Sequence, residues 1–193
     1  MRAPWILMLL TMLWGCTTTT NLAGVPEQKQ VAKAPPESRA RVHTALAALY
    51  YQQSSFKTAL NELGAAIRID SAYAPAYSMY GLVYMQLNEN GRADDSFQKA
   101  IALAPEDPDI RNNYGLFLCQ TGQFQAGLIQ LEQAWKNPLY DTPGRALANA
   151  SRCAADMGRT DLAKQYRQQA ERYGVAVDGP AALQTSTLIQ PSR

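Results

Sequence analysis

The sequence predicts an all-α fold in which antiparallel helix pairs stack into a superhelical solenoid. The main observation is an internal repeat, because Gly81 recurs as Gly115 and Ala100 recurs as Ala134, each after 34 residues. A unit of that length is one helix–turn–helix hairpin, which buries its apolar face only by stacking on neighbouring copies. The second observation is the composition, 47% hydrophobic and 18% charged, which is typical of a globular protein.

The segment 74–107 carries the residues that identify the repeat. It resembles the tetratricopeptide repeat, with signature residues at Gly81, Tyr84, Ala93, Phe97, Ala100 and Pro105. The resemblance implies small residues where the two helices of a unit cross, at Ala47, Gly81, Gly115 and Ser151. We therefore predict a domain over residues 38–173 with four repeats, at 40–73, 74–107, 108–143 and 144–173. The last copy follows a two-residue insertion, since Gly122 recurs as Gly158 after 36 residues.

The N-terminus reads as a lipoprotein signal peptide over residues 1–15. Its apolar run, Trp5–Trp14, is too short to remain as a membrane span, which needs roughly 20 residues. Leu13–Cys16 resembles a bacterial lipobox, although a residue smaller than Trp14 is usual at that position. Cys16 is thus the predicted lipid attachment site, for acyl chains such as palmitate. The alternative is a plain signal peptide, or a buried helix, with a chance cysteine.

The segments that flank the repeats are predicted to lack a packed structure. Residues 16–37 hold four consecutive threonines and three prolines with little apolar patterning, which favours a flexible tether. Thr17, rather than an aspartate, follows the cysteine. By resemblance to bacterial sorting rules, this predicts a lipid-anchored protein on the periplasmic face of the outer membrane. Residues 174–193 are predicted to be a mostly disordered tail, in which 183–189 could dock on the open end of the stack.

The sequence offers little catalytic chemistry. The single histidine, His43, stands where the second repeat carries Tyr77, which favours a packing role. The adjacent carboxylates Asp94–Asp95 and Glu106–Asp107 are interpreted as solvated surface. No histidine pair or cysteine cluster indicates a metal site. We expect no enzyme activity, no cofactor and no small-molecule substrate. The net charge of +2 gives no reason to expect nucleic acid as a partner.

Two further cysteines, Cys119 and Cys153, are predicted on the first helices of adjacent repeats, 34 residues apart. Close thiols tend to pair in an oxidising compartment. The Cα atoms of a disulfide lie within about 7 Å, whereas packed helix axes are about 8–10 Å apart, so the side chains must point at each other. A disulfide and two buried free thiols both remain open.

A protein partner is the expected ligand of the concave surface that the first helices form. Three residues there, Leu82, Met85 and Leu116, are apolar where a solvated face is normally polar. Thr44 and Ala48 replace the lysine and asparagine with which chaperone-binding repeats hold a peptide carboxylate. The predicted partner-binding groove consists of Tyr51, Ser78, Leu82, Met85, Asn112, Leu116 and Gln120. The alternative is that neighbouring side chains or the tail cover these positions.

The stretch NNYGLFLC, from Asn112 to Cys119 and followed by Gly122, is similar to the third repeat of the PilF/PilW family. These are lipoproteins of type IV pilus biogenesis. The resemblance implies a pilotin, which binds the pilus secretin and assists its assembly or targeting to the outer membrane. Family members usually have more repeats than this chain can hold. The alternative function is a general repeat-scaffold lipoprotein in cell-envelope or cell-wall assembly.

Overall fold

The computed structural model describes residues 34–177, which form eight α-helices and no strand. Consecutive helices pack as four pairs, and the pairs follow one another along the chain. This confirms the predicted all-α stack of helix pairs. None of the described helices has the length and apolarity needed to cross a membrane. The helices are α1 (Pro36–Gln52), α2 (Phe56–Ile69), α3 (Ala74–Gln86), α4 (Asn90–Leu103), α5 (Pro108–Gln120), α6 (Phe124–Trp135), α7 (Pro143–Asp156) and α8 (Thr160–Arg172).

The signal peptide, Cys16, most of the tether and the proposed docking segment 183–189 lie outside the described residues. At the N-terminal boundary, α1 already begins at Pro36, so Pro36 and Glu37 are helical although the sequence assigned them to the tether. Proline suits the first turn of a helix because no backbone N–H is required there. Asp107 caps α5 by accepting hydrogen bonds from the backbone N–H groups of Asp109 and Ile110, at 2.9 and 3.1 Å.

Each pair turns through one residue in the left-handed region of the backbone. These residues are Ser54, Asn88, Gly122 and Gly158, with φ between 56° and 80°. The sequence indicates the last three as turn residues, because asparagine and glycine tolerate this conformation best. It does not indicate Ser54, since serine gives no such signal.

Small residues at the helix crossings have a direct structural reason. A Cβ atom added to Gly81 would lie 2.6 Å from the ring of Phe97. At Gly127, which stands where other repeats carry alanine, an added Cβ would meet the sulfur of Cys119 and lie 2.9 Å from the carbonyl oxygen of Gly115. Glycine at residue 127 therefore allows α5 and α6 to approach closely beside the cysteine.

The C-terminal end of the stack is covered by the residues after α8. Val175 and Val177 pack against Leu147, Ala148 and Ala170, and the Val175 backbone N–H donates to the Ala170 carbonyl at 3.1 Å. Within the tail that the sequence predicts to be mostly disordered, Val175 and Val177 are therefore packed against the stack. Residues 178–193 lie outside the described part of the chain.

Candidate functional site

The first helices of the last two pairs are joined covalently. Cys119 on α5 and Cys153 on α7 form a disulfide, with their Cα atoms 5.4 Å apart. Both side chains are buried. Of the two alternatives left open by the sequence, the structure shows the disulfide rather than a pair of free thiols.

The predicted groove is mostly closed. Five of its seven residues are buried, each at most 8% exposed: Tyr51, Ser78, Leu82, Met85 and Asn112. The prediction that these five line an open groove is wrong. Tyr51, Leu82 and Met85 belong to the main hydrophobic core, because α3 packs directly against both α1 and α5. The open part of this surface lies further along the stack, where Leu116 is half-buried and Gln120 is exposed.

A row of buried polar side chains connects α3, α5 and α7. Asn113 Nδ2 donates to Ser78 Oγ at 3.2 Å, and Asn112 Nδ2 donates to Asn113 Oδ1 at 3.2 Å. Asn149 Nδ2 on α7 donates to Asn112 Oδ1 at 2.9 Å. We call these four residues the amide ladder. All four are at most 9% exposed, so their mutual hydrogen bonds replace water as partners.

Arg152 ends the amide ladder and sets its direction. Its Nη2 donates to Asn149 Oδ1 at 2.5 Å. Since a guanidinium only donates, this amide oxygen must accept, and the Asn149 nitrogen is left to donate to the next amide. The same reasoning repeats along the ladder. Every amide oxygen therefore faces the Arg152 end, where its partial negative charge stabilises the cation.

The guanidinium of Arg152 is half-buried and forms no ion pair with a carboxylate of residues 34–177. Burial lowers the pKa of Arg152, and the charge of Asp156, one turn further along α7, partly opposes that shift. By contrast, Arg111, which is also half-buried, forms an ion pair with Glu106 at 3.7 Å. Arg152 thus presents a positive charge that the described part of the chain does not neutralise by contact.

The sequence contained an overlooked signal for this site. Arg152 follows Leu116 by 36 residues, the same shift that relates Gly122 to Gly158. Continuing the groove into the fourth repeat would therefore have identified Arg152. Asn149 stands at the same shift from Asn113. The contact of Asn149 with Asn112 on α5 depends on helix packing and was not predictable from spacing.

The titratable groups singled out in the sequence make structural contacts. His43 Nδ1 lies 2.7 Å from Glu62 Oε2, which joins α1 to α2. Asp94 accepts a hydrogen bond from the Tyr114 hydroxyl at 3.0 Å, and burial together with this carboxylate raises the pKa of Tyr114 to about 12. Among residues 34–177, no three His, Cys, Asp or Glu side chains gather as metal ligands would.

The outer face of α1 carries an exposed apolar row that was not predicted. Val42, Leu46 and Leu49 are 59%, 37% and 53% exposed. Their spacing of four and three residues places them on one side of the helix. We call these three residues the apolar edge. It contrasts with the other end of the stack, which Val175 and Val177 cover.

Comparison with known proteins identifies the repeat. Family models of the tetratricopeptide repeat match residues 74–107 and 96–128. The type IV pilus assembly protein PilF of Pseudomonas aeruginosa is 26% identical over 171 residues, or 89% of this chain and 66% of that protein. A protein of Haemophilus influenzae is 28% identical over 151 residues, which are 78% of this chain and 81% of that protein.

Solved structures show the same fold. The crystal structure of PilW, a widely conserved type IV pilus biogenesis factor, aligns with a TM-score of 0.67 and 27% identity, covering 70% of this chain and 62% of PilW. The structure of Pseudomonas aeruginosa PilF aligns with a TM-score of 0.68 and 24% identity, over 72% of this chain and 63% of PilF. The chain thus spans slightly less than two thirds of the length of these relatives.

Proposed function

We propose that the chain, which is similar to the type IV pilus proteins PilF and PilW, acts in type IV pilus biogenesis as a protein-binding scaffold. Its partner in this proposal is the pilus secretin, whose assembly or outer-membrane targeting it assists. The observation that carries the proposal is the similarity to PilF, which extends over 89% of this chain rather than over a single repeat.

We further propose that the protein is anchored by lipid on Cys16 to the periplasmic face of the outer membrane. The lipobox-like stretch Leu13–Cys16 supports the anchor. The disulfide between Cys119 and Cys153 supports the compartment, because structural disulfides persist in the oxidising periplasm and are rare in the cytosol. Two or more acyl chains are sufficient to hold a soluble domain stably on a bilayer.

Binding rather than catalysis is the role that the described surface supports. Two parts of the stack are open to a partner: the apolar edge of α1, and the region of Leu116, Gln120 and Arg152 on α5 and α7. Of the helices that carry them, α5 and α7 are packed between neighbouring helices and cross-linked, and α1 packs against α2 and α3. A rigid surface loses little conformational entropy on association, which favours affinity.

Gene deletion tests the pilus role. We expect loss of surface pili and of the secretin multimer, measured by electron microscopy and by gel analysis of unheated envelopes. Complementation with the wild-type gene is the control. Intact secretin multimers combined with altered cell shape would instead support the general envelope scaffold.

Replacement of Cys16 by alanine tests the anchor. The Cys16→Ala protein should leave the outer-membrane fraction and remain soluble in the periplasm. The Cys119–Cys153 disulfide, measured by thiol titration, serves as the control for folding. A variant that still sediments with the outer membrane would show that the anchor is not lipid on Cys16.

A further inference from the structure

We propose that Arg152 binds a carboxylate side chain, aspartate or glutamate, in an extended segment of the partner protein. The site lies on the face that the first helices form, beside Leu116 and Gln120. The inference rests on the proposed function, since it names the chemistry by which the scaffold recognises its partner.

The first argument is the unneutralised charge. Removing an arginine from water costs free energy unless an opposite charge or hydrogen bonds compensate. Arg152 is half-buried, and within residues 34–177 it makes one hydrogen bond, to Asn149, and no ion pair. Arg111, which is also half-buried, pairs with Glu106 at 3.7 Å and donates to Gln130 at 3.0 Å. A partner carboxylate would give Arg152 the neutralising contact that Arg111 already has.

The second argument is the pre-organisation of the guanidinium. Asn149 holds one nitrogen of Arg152, and Asn149 is itself held by Asn112 within the buried amide ladder. A guanidinium has five N–H donors in a rigid fork that matches a carboxylate. One donor fixes its position, and the others can form the two parallel hydrogen bonds of a bidentate pair.

The residues near Arg152 determine which kind of anion it binds best. Asp156, an exposed residue one turn from Arg152, repels any anion bound there, and this repulsion grows with the charge of the anion. A single carboxylate is therefore favoured over a phosphate or a run of acidic residues. Leu116 and Gln120 offer an apolar and an amide contact on the neighbouring helix. Gln120 on α5 and Ala155 on α7 are exposed, which leaves room for a partner segment that continues past the carboxylate. We therefore assign the carboxylate to a continuous segment rather than to a chain terminus.

A peptide experiment tests the site. Full-length mature lipoprotein in detergent is screened against overlapping 15-residue peptides that cover the secretin of the same organism. Each binding peptide is remade with its acidic residues changed to amides, and with a free or an amidated C-terminus. Affinities are then measured for wild type, Arg152→Gln, Arg152→Lys and Asp156→Asn. The matched control is Arg167→Gln, which removes the same charge from an exposed position on α8.

We expect Arg152→Gln to weaken binding of the acidic peptide at least tenfold. The same peptide with its acidic residues changed to amides should bind equally weakly to wild type and to Arg152→Gln. Arg152→Lys should recover only part of the affinity, because an ammonium lacks the planar fork. Asp156→Asn should bind a few-fold more tightly. The Arg167→Gln protein should match wild type, and melting temperatures will show that all variants fold.

Several outcomes would overturn the proposal. If Arg152→Gln binds the acidic peptide as well as wild type, or if binding requires a free C-terminus, the carboxylate side-chain site is wrong. If, with either result, the wild-type protein still captures intact secretin, the proposed function stands although the site is wrong. If wild type binds neither the peptides nor the intact secretin, both the partner and this site fail together.

Discussion

Apolar packing holds both halves of the stack, and the last half adds covalent and buried polar links between its helices. In the first half, α1–α4 bury large side chains, with Leu63, Val83 and Phe97 fully buried. In the last half, α5–α8 likewise bury Phe117 and Leu131. A disulfide also joins α5 to α7, and three of the four residues of the amide ladder lie on these two helices. The covalent and polar links therefore reinforce a half that is already packed like the other.

The two ends of the stack differ in how far their apolar side chains are covered. The apolar edge of α1 is exposed, whereas at the far end Val175 and Val177 cover the last helix pair. Terminal repeats of a solenoid normally carry a polar outer face that keeps the protein soluble. Among residues 34–177 the apolar edge is exposed, so α1 departs from this pattern for a terminal repeat.

The largest effect is expected at Phe97, where the first half depends on apolar volume. Phe97→Ala removes a fully buried ring that contacts both Tyr114 and Phe117. The free energy of unfolding should therefore be about 3–5 kcal/mol lower than in wild type. Chemical denaturation measures this change. The matched variant Phe124→Ala, at a half-buried position on α6, should lose clearly less. Equal losses would contradict the assignment of the larger cost to the fully buried ring.

Removal of the disulfide tests the last half. The double variant with Cys119→Ala and Cys153→Ala lacks the cross-link between residues that are 34 apart in sequence. Because the unfolded chain then gains conformational entropy, the free energy of unfolding should fall by about 3–4 kcal/mol. Denaturation of the double variant, with reduced wild type as comparison, measures the loss. The first half should keep its slow amide exchange after reduction. Exchange that speeds up equally in both halves would show that the link stabilises the whole stack.

Paired substitutions compare the two ends. Val177→Ser exposes the covered end and should cost about 1–2 kcal/mol, because Val177 is 7% exposed. Leu49→Ser, on the apolar edge, should change stability by less than about 0.5 kcal/mol, because this side chain is already 53% exposed. The same thermal melts report both. A large loss at Leu49 would mean that the apolar edge is covered in solution.

The smallest effect concerns a contact between the halves. Tyr114 on α5 donates to Asp94 on α4, and its pKa is raised from 10.0 to about 12, first by burial and then by this carboxylate. A raised pKa means that folding favours the neutral phenol. Its contribution is therefore complete below pH 10 and lost as the pH rises through about 12.

Asp94→Asn should lower the pKa of Tyr114 while leaving it above 10.0, because burial remains. Ultraviolet difference titration measures the shift, with Tyr114→Phe identifying the signal among the other tyrosines. An unchanged pKa in Asp94→Asn would assign the whole shift to burial.

Sequence reasoning was most successful where the determining interactions are local. The turn residues Asn88, Gly122 and Gly158, and the small crossing residues Gly81 and Gly115, follow from spacing alone. It failed for the groove because the tetratricopeptide pattern identifies which helix face points inward, but not how closely neighbouring first helices approach. Leu82 and Met85 fill the contact of α3 with its neighbours instead of facing a partner.

By itself, the sequence determined the all-α stack, its repeat phase and the crossings, because helix periodicity and turn chemistry act within a few residues of each other. Only the tertiary structure decided that Cys119 and Cys153 pair, that Ser78 and Asn112 are buried, and that Arg152 is left charged at the end of the amide ladder. These outcomes depend on distances between side chains of separate helices, which are set by packing and not by position along the chain.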